Sequence, residues 1–163
     1  GKGSLYEGGI RVPLLVRWPG LARGGTECAE PVSLADLYPT IIGALAPAAP
    51  ASDLPLDGMN LAPLLKQPGA QLERDALYFH YPHYYATTTP ASAVRAGDWK
   101  LIEYFEDGRT ELFNLRTDPG EQTDLSARDP ERAAALRGRL ESWRRDVGAQ
   151  LPQPNPKFNA NKK

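Results

Sequence analysis

The sequence predicts an α/β fragment, in which a mixed first part is followed by an antiparallel sheet packed on one long helix. Three patterns lead to this prediction. A short apolar run bounded by turn residues spans Val12–Trp18, four strand-like segments with tight turns lie within residues 76–115, and an apolar stripe at helical spacing begins at Ala133. Strands joined by short turns form an antiparallel meander, which must bury one face on another element. The following helix is the predicted cover.

The first part joins a polar loop to an apolar run. Lys2–Arg11 is polar and glycine-rich, and its Gly8-Gly9 pair permits close approach of the backbone. Val12–Trp18 is predicted as a buried core strand, because a near-continuous apolar run closed by a Pro-Gly pair suits a strand covered on both faces. A polar loop anchored by a core strand is a common way to place functional side chains.

A helix with one buried face is predicted over Leu34–Ala46, where apolar residues recur at steps of three and four. Ser33 and Asp36 have the spacing of a capping box at its start. Pro39 removes one helical hydrogen bond, so we expect a bent first turn or a later start. A loop rich in Pro and Ala is predicted at 47–55.

The second part is predicted as strands followed by a helix. The strands are Ala76–Tyr81, Ser92–Arg95, Trp99–Phe105 and Thr110–Leu115. Asp129 and Pro130 are a favourable N-cap and first helical residue. The apolar stripe of the helix then consists of Ala133, Leu136, Leu140, Trp143 and Val147.

Composition excludes several classes of function. A hydrophobic content of 41% and a charged content of 24% are those of a globular protein. The formal net charge of −1 gives no argument for nucleic acid or an anionic membrane as partner. No apolar run approaches the roughly 18 residues that span a bilayer. The single Cys28 excludes an internal disulfide. Because the chain begins Gly-Lys-Gly without an initiating methionine and its only methionine is Met59, we interpret it as part of a longer protein.

The polar loop contains a motif made of Lys2, the triplet Glu7-Gly8-Gly9, and Arg11 followed by Val-Pro. This motif resembles the second signature of the type I sulfatases, the arylsulfatase branch of the alkaline-phosphatase superfamily. In that family the lysine ahead of Glu-Gly-Gly reaches the sulfate of the substrate, a role that suits a compact ammonium with three donors. The resemblance implies that Lys2 is a catalytic residue. We interpret Glu7 and Arg11 as a structural pair that fixes the loop. Taken alone, the spacing fits a solvated lysine better.

Further motifs in the family's order extend the resemblance over nearly the whole chain. They are Asp-Leu-x-Pro-Thr at 36–40, Asp-Gly-x-x-Leu-x-Pro-Leu-Leu at 57–65, Gly-Asp-Trp-Lys-Leu-Ile at 97–102 and Glu-Leu-Phe-Asn-Leu-x-x-Asp-Pro-x-Glu at 111–121. The resemblance implies three regions. Residues 1–75 form the edge of the large alkaline-phosphatase-like α/β domain, 76–148 the small C-terminal subdomain with its antiparallel sheet and long helix, and 149–163 an extended tail.

Two parts of a working sulfatase are missing from this sequence. The family's nucleophile is a formylglycine made from a Cys or Ser that has Pro or Ala two residues later and Arg four residues later. Cys28 has Glu30 and Val32 there, and no serine fits the pattern, so Cys28 is interpreted as an incidental small hydrophobe. Nothing forms the acidic cluster that Ca²⁺ requires, with its six or more oxygen ligands. We expect this fragment to bind no metal and no cofactor and to be inactive alone, whereas the full-length enzyme carries Ca²⁺ and formylglycine.

The aromatic cluster from His80 to Tyr85 has three interpretations. A His-x-x-His metal pair is disfavoured because Pro82 extends or turns the segment and no third ligand is nearby. Packing and hydrogen bonding between subdomains is the second interpretation. The third follows from the resemblance: loops of the C-terminal subdomain line the rim of the substrate pocket, where an aromatic or imidazole ring can stack on a sugar or aryl group. The substrate-binding residues are then His80, His83 and Tyr84.

The resemblance implies that the full-length protein hydrolyses sulfate esters, with a sulfated small molecule or glycan as substrate. It also implies that the missing N-terminal part of the same protein is a partner of this chain, and that the location is periplasmic or secreted. Two alternatives stay open. One is a phosphodiesterase or phosphonate hydrolase of the same superfamily, and the other is a non-catalytic module that binds sulfated glycans.

Overall fold

The computed structural model describes residues 2–45, 56–153 and 155–156. The loop predicted at 47–55 and the end of the predicted tail lie outside the described residues. The chain divides into two compact units. The first unit comprises the described residues of Gly1–Val12 and Asp75–Lys163, and the second unit is Pro13–Arg74.

Apart from the strand expected at Val12–Trp18, the predicted helices and strands occur in the predicted order. In chain order the elements are α1 (Glu7–Ile10), α2 (Leu37–Leu45), α3 (Ala62–Lys66), β1 (Leu77–Tyr81), β2 (Ala91–Ala96), β3 (Trp99–Tyr104), β4 (Thr110–Asn114) and α4 (Pro130–Asp146). The four strands form one antiparallel sheet in the order β1-β2-β3-β4. Each strand begins and ends within one residue of its predicted limits, so the meander and the α/β class are confirmed.

Helix α4 covers one face of this sheet, as the apolar stripe predicted. Ala133, Leu136 and Leu140 are buried against strand residues such as Val94 and Leu101. Asp129 caps the helix by accepting a hydrogen bond from the N–H of Arg132 at 3.1 Å, which satisfies a donor of the first turn. Val147, the last residue of the predicted stripe, lies beyond the helix and is exposed.

The other face of the sheet is covered by the start of the chain. Leu5 is buried there together with strand residues such as Ile102 and Phe113, and Tyr6 and Ile10 pack against the same cluster. The sequence-based division groups residues 1–12 with the region up to residue 75. In the structure they pack with the sheet, because their apolar side chains fill the face opposite α4.

The second unit is organised by the buried carboxylate of Asp36. Its Oδ2 accepts from the N–H of Ser33 at 2.6 Å, which completes the predicted capping box of the 3-10 turn Leu34–Asp36. The Asp36 carboxylate also accepts from Met59 N–H at 2.8 Å and pairs with the guanidinium of Arg74. Helix α2 begins after this turn with Pro39 in its first turn, in agreement with the expected late start. The motifs at 36–40 and 57–65 are thus two halves of one hydrogen-bonded assembly.

Two predictions about burial in this unit are wrong. Val12–Trp18 forms no strand, and Leu15 is 90% exposed. A strand needs a neighbour for its backbone groups, and this segment pairs with none among the described residues. The predicted apolar face of α2 is also exposed, with Ile41 and Leu45 open to solvent and Thr40 the buried residue of the helix. Helical spacing correctly indicated the helix, but it does not specify what covers its face.

Within the described ranges, no helix is both long enough and apolar enough to cross a membrane.

We expect Asp36→Asn to lower the free energy of unfolding at neutral pH by about 3–5 kcal/mol, because it leaves the Arg74 charge without its buried partner. Burial alone would raise the pKa of Asp36, but the hydrogen bonds from Arg74, Met59 and Ser33 outweigh it and hold the pKa below its ordinary value. The stabilisation is therefore present above about pH 4 and is lost as the pH falls through the folded-state pKa. Urea unfolding as a function of pH checks this.

The exposed Asp57→Asn variant is the control for this experiment. Asp57→Asn should leave the free energy of unfolding at neutral pH unchanged. It should also leave unchanged the steepness with which that free energy falls at acidic pH. An Asp36→Asn protein as stable as the parent at pH 7 would contradict the assigned role of Asp36.

Gly58→Ala should destabilise the second unit by about 1–3 kcal/mol, since it inserts a methyl group where no space exists. A Cβ at Gly58 would lie 2.0 Å from the carbonyl oxygen of Ala35 and 2.9 Å from the backbone nitrogen of Asp36. Gly24→Ala is the matched control, because a Cβ there meets open space. Thermal unfolding of the two variants, compared with the parent, measures the difference. Equal midpoints for both would show that the close packing at Gly58 is not required.

Candidate functional site

The predicted catalytic lysine lies on a segment whose backbone is held from both sides. The side chain of Lys2 is exposed, while its carbonyl oxygen accepts a hydrogen bond from the hydroxyl of Thr87 at 3.1 Å. Gly3 has a φ of 93°, and a Cβ at this position would lie 2.2 Å from Cδ1 of Tyr85. The ring of Tyr85 therefore occupies the space that any other residue at position 3 would need. Ser4 and Leu5, which follow, are buried.

The loop between β1 and β2 is thus brought to Lys2. Residues 82–90 contain His83, Tyr84 and Tyr85, all of which are exposed. Tyr84 is 69% exposed, and its hydroxyl donates to Glu106 at 3.3 Å. The structure therefore places two of the predicted substrate-binding side chains in the loop that contacts residues 2–10, which we call the lysine segment. The arrangement offers one cation and several rings to solvent.

His80 is separated from this group by the sheet. It lies opposite Ser92 in the β1–β2 pairing, and its Nδ1 is 2.6 Å from the Ser92 hydroxyl. Its Nε2 is 2.8 Å from the carbonyl oxygen of Gln150, and its ring makes an edge contact with Trp143 of α4. His80 therefore occupies the α4 face, while the lysine segment covers the other. Both ring nitrogens have protein partners, and these partners belong to the same unit as His80.

The Glu-Gly-Gly motif is anchored by a buried cluster of charges. Glu7 is 6% exposed, and its Oε1 lies 3.0 Å from Nζ of Lys100, a strand residue with no exposed surface. The same ammonium lies 2.8 Å from Oε1 of Glu121. Arg11 and Arg95 each approach the other oxygen of Glu7 at 3.8 Å. Two carboxylates thus face one buried cation and two peripheral ones, which offsets the desolvation that an unpaired charge would suffer.

Glu121 also holds the main chain of the motif. Its Oε2 accepts from the backbone N–H of Glu7 at 2.5 Å, at the first turn of α1. Glu121 has a φ of 54°, and it is the one non-glycine residue of the described part of the chain in the left-handed region. That conformation costs on the order of 1–3 kcal/mol and persists where the surroundings enforce it.

Tyr6 adds a second set of bonds beside this cluster. Its hydroxyl donates to Glu111 at 2.5 Å and accepts from the hydroxyl of Tyr104 at 3.1 Å. The guanidinium of Arg109 bonds Glu111 at 2.6 Å and lies 3.6 Å from the centre of the Tyr104 ring. Burial, and then donation to Glu111, raise the pKa of Tyr6, so the phenol stays protonated at neutral pH. Tyr6 and Glu7 together fasten the lysine segment to the sheet.

Sequence reasoning found Lys2, Glu7 and the aromatic loop but missed the residues that hold them. Lys100 had a usable signal, because it occupies the same strand face as Ile102 and Tyr104, a face with apolar spacing of two. Glu121 is the last residue of the motif at 111–121, but nothing in the sequence showed that it contacts Glu7, 114 residues away. Thr87 had no signal, since its contact with Lys2 spans 85 residues. Among the residues that the structure describes, no group of three or more His, Cys, Asp or Glu could hold a metal ion.

Comparison with known proteins identifies the family. The family model "N-sulphoglucosamine sulphohydrolase, C-terminal" matches residues 1–146. A sulfatase of Formosa agariphila is 32% identical over 158 residues, covering 87% of this chain and 28% of its own length. Human arylsulfatase A is 37% identical over 148 residues, covering 77% of this chain and 28% of its own length.

A solved structure agrees with these relatives. The crystal structure of Ps i-CgsB has a TM-score of 0.68 and 33% identity, covering 88% of this chain and 31% of that one, and it has also been solved in complex with k-i-k-neocarrahexaose. This chain thus spans less than a third of the length of these relatives. Residues of the lysine segment, the sheet and α4 all lie within the matched region, and we conclude that the chain belongs to the sulfatase family and corresponds to its C-terminal domain.

Proposed function

We propose that this chain is the C-terminal portion of an enzyme that hydrolyses sulfate esters, and that Lys2 contacts the sulfate group. The observation that supports this most directly is the exposed ammonium of Lys2 on a backbone fixed at Thr87, Tyr85 and Glu121. Such anchoring suits a group that must meet a substrate in a defined position. The family membership supplies the kind of reaction.

Lys2 would act by charge. An ammonium placed against a sulfate oxygen offsets negative charge, and it contributes to the rate where that charge grows in the transition state. Because the Lys2 main chain is already anchored, only its side chain would have to be ordered when substrate binds. Glu7 has no such role in this proposal, since its carboxylate is buried among cations and serves to hold the loop.

The remaining chemistry would come from outside the described residues. A Ca²⁺ site needs a cluster of oxygen ligands, and the described residues contain no such cluster. Cys28 is exposed and lacks the neighbours of a formylglycine precursor. The residues present therefore do not fit either group, and we assign no step to them here. We propose that this chain alone does not turn over sulfate esters.

The exposed apolar surface of the second unit supports the proposal that this chain belongs to a larger protein. It exposes many large apolar side chains, which is unusual for a surface that faces only water. They are Val12 of the preceding segment and Leu14, Leu15, Val16, Leu34, Tyr38, Ile41, Ile42, Leu45 and Leu56. We propose that the N-terminal part of the same enzyme packs on these side chains.

A sulfated sugar is the proposed substrate class. One structural neighbour was solved in complex with its substrate D-glucosamine-2-N,6-O-disulfate, with 25% identity and a TM-score of 0.54, and Ps i-CgsB was solved with k-i-k-neocarrahexaose. In this chain His83 and Tyr84 would stack on or hydrogen-bond the sugar from the loop beside Lys2. His80 is left out of this proposal, because it lies on the α4 face with both nitrogens bonded. By family resemblance, we extend the proposal to a periplasmic or secreted location.

Replacing Lys2 by Ala in the full-length enzyme should lower kcat/KM for an aryl sulfate about 100- to 1000-fold, because a charge that meets the developing anion is lost. Steady-state kinetics measure this, with the exposed Lys66→Ala as the matched control that keeps activity. The isolated chain serves as a blank without turnover.

Comparing kcat/KM of the full-length enzyme on matched sulfate and phosphate esters distinguishes a sulfatase from the competing enzyme class. A parent enzyme that prefers the phosphate ester would favour a phosphodiesterase or phosphonate hydrolase. Unchanged kcat/KM in Lys2→Ala would refute the role of the lysine. Binding of sulfated sugars by a full-length protein without any turnover would favour the non-catalytic module.

His83→Ala and Tyr84→Ala should each raise KM for a sulfated oligosaccharide about three- to tenfold, since a ring contact with the sugar is removed. KM for a small aryl sulfate should change much less, because that substrate offers no sugar ring for these side chains to contact. His80→Ala is the contrasting variant, expected to lower the unfolding temperature with no difference between the two substrates. An equal loss on both substrates for His83 and Tyr84 would count against a specificity role.

A further inference from the structure

We propose that Glu121 is a positioning residue for Lys2, whose buried carboxylate fixes the Glu-Gly-Gly turn and thereby the place of the catalytic ammonium. This inference rests on the proposed role of Lys2 in binding sulfate. Glu121 lies far from Lys2 in sequence, and its side chain is only 3% exposed. Its effect would pass through Glu7, which it bonds directly.

Three contacts form a closed ring around Glu7. The Glu7 N–H donates to Glu121 at 2.5 Å, the Lys100 ammonium lies 2.8 Å from Glu121, and the same ammonium lies 3.0 Å from the Glu7 carboxylate. Main chain and side chain of Glu7 are therefore both fixed to the sheet. The side chains are buried, with exposed fractions of 7% for Glu7, 0% for Lys100 and 3% for Glu121. Water is thus kept from competing for these contacts, and the ring is stiffer than a surface ion pair.

The backbone at Glu121 is strained in a way that a glycine at this position would relieve. A φ of 54° is a conformation in which glycine is comfortable and a side chain is strained. The preceding residue, Gly120, has no positive φ, so the glycine of this turn is not at the strained position. A glutamate at position 121 is explained by what its side chain holds.

The link from Glu7 to Lys2 is short and ordered. Ser4 and Leu5 are buried, and the Tyr85 ring occupies the space beside Gly3. The segment is therefore anchored at the Lys2 end by the β1–β2 loop and at the Glu7 end by Glu121 and Lys100. Removing the Glu121 carboxylate frees the Glu7 N–H and leaves Lys100 with one carboxylate partner, while the bonds of Tyr6 remain. The segment is then loosened at its Glu7 end, so that the Lys2 ammonium samples a wider range of positions. A misplacement of about 1 Å can cost about a hundredfold in rate.

The test uses Glu121→Gly and Glu121→Gln in the full-length enzyme, alone and combined with Lys2→Ala. Glu121→Gly removes the carboxylate and relieves the strained φ. We expect it to lower kcat/KM for an aryl sulfate about ten- to a hundredfold. Glu121→Gln keeps an acceptor for the Glu7 N–H, so it should retain more activity than Glu121→Gly. In the Lys2→Ala background the Glu121→Gly change should have almost no further effect, because the group it positions is absent.

Glu103→Gln is the matched control. Glu103 is another buried glutamate of the sheet, paired with Arg137 and Arg144 of α4 on the opposite face. Glu103→Gln should lower the unfolding temperature. Any effect on kcat/KM should be the same in the parent and in the Lys2→Ala background. Additive losses for Glu121→Gly and Lys2→Ala, or full activity in Glu121→Gly, would overturn the positioning role.

Hydrogen exchange gives a readout that does not require activity. Amides of residues 4–10 should exchange faster in Glu121→Gly than in the parent, while amides of α4 stay protected. The Glu103→Gln variant should show no faster exchange in residues 4–10. Unchanged exchange of residues 4–10 in Glu121→Gly would overturn the inference, whatever the role of Lys2. Faster exchange together with full activity of Lys2→Ala would refute the proposed function but leave the anchoring role of Glu121 intact.

Discussion

The buried ammonium of Lys100 is the constraint on which the first unit depends. A buried charged lysine in the middle of a covered strand is costly unless carboxylates reach it, and here Glu7 does so from the start of the chain and Glu121 from beyond β4. Satisfying that one charge brings the start of the chain onto the sheet. The same contacts close the face opposite α4 and place Lys2 beside the β1–β2 loop.

The two faces of the sheet consequently do different things. On the α4 face, apolar packing and the Glu103–Arg144 pair at 2.6 Å hold the helix, and His80 joins this framework. On the other face, the main chain of the lysine segment is held tightly while the side chain of Lys2 remains exposed. A histidine and its neighbour three positions on, His80 and His83, therefore belong to different environments, because the strand ends between them.

Several residues that the chain shares with sulfatase motifs stabilise the fold. Asp36 gathers a capping box, the N–H of Met59 and an arginine, and Gly58 allows the two segments to approach. Glu121, the last residue of its motif, reaches back to the first motif through Glu7. Motif residues that look independent in the sequence are thus partners in two buried polar assemblies, one in each unit.

The sequence by itself determined the local elements. Alternation and turn residues predicted the four strands, and the stripe with its Asp129 cap predicted α4, because such signals depend on neighbours within a few residues. Tertiary structure alone decided burial and charge pairing. Val12–Trp18 resembles a core strand but stays exposed for want of a partner strand among the described residues, and Lys100 meets Glu7 across 93 positions of chain. Periodicity describes which side chains share a face, whereas the segment that covers that face is set by contacts between distant parts of the chain.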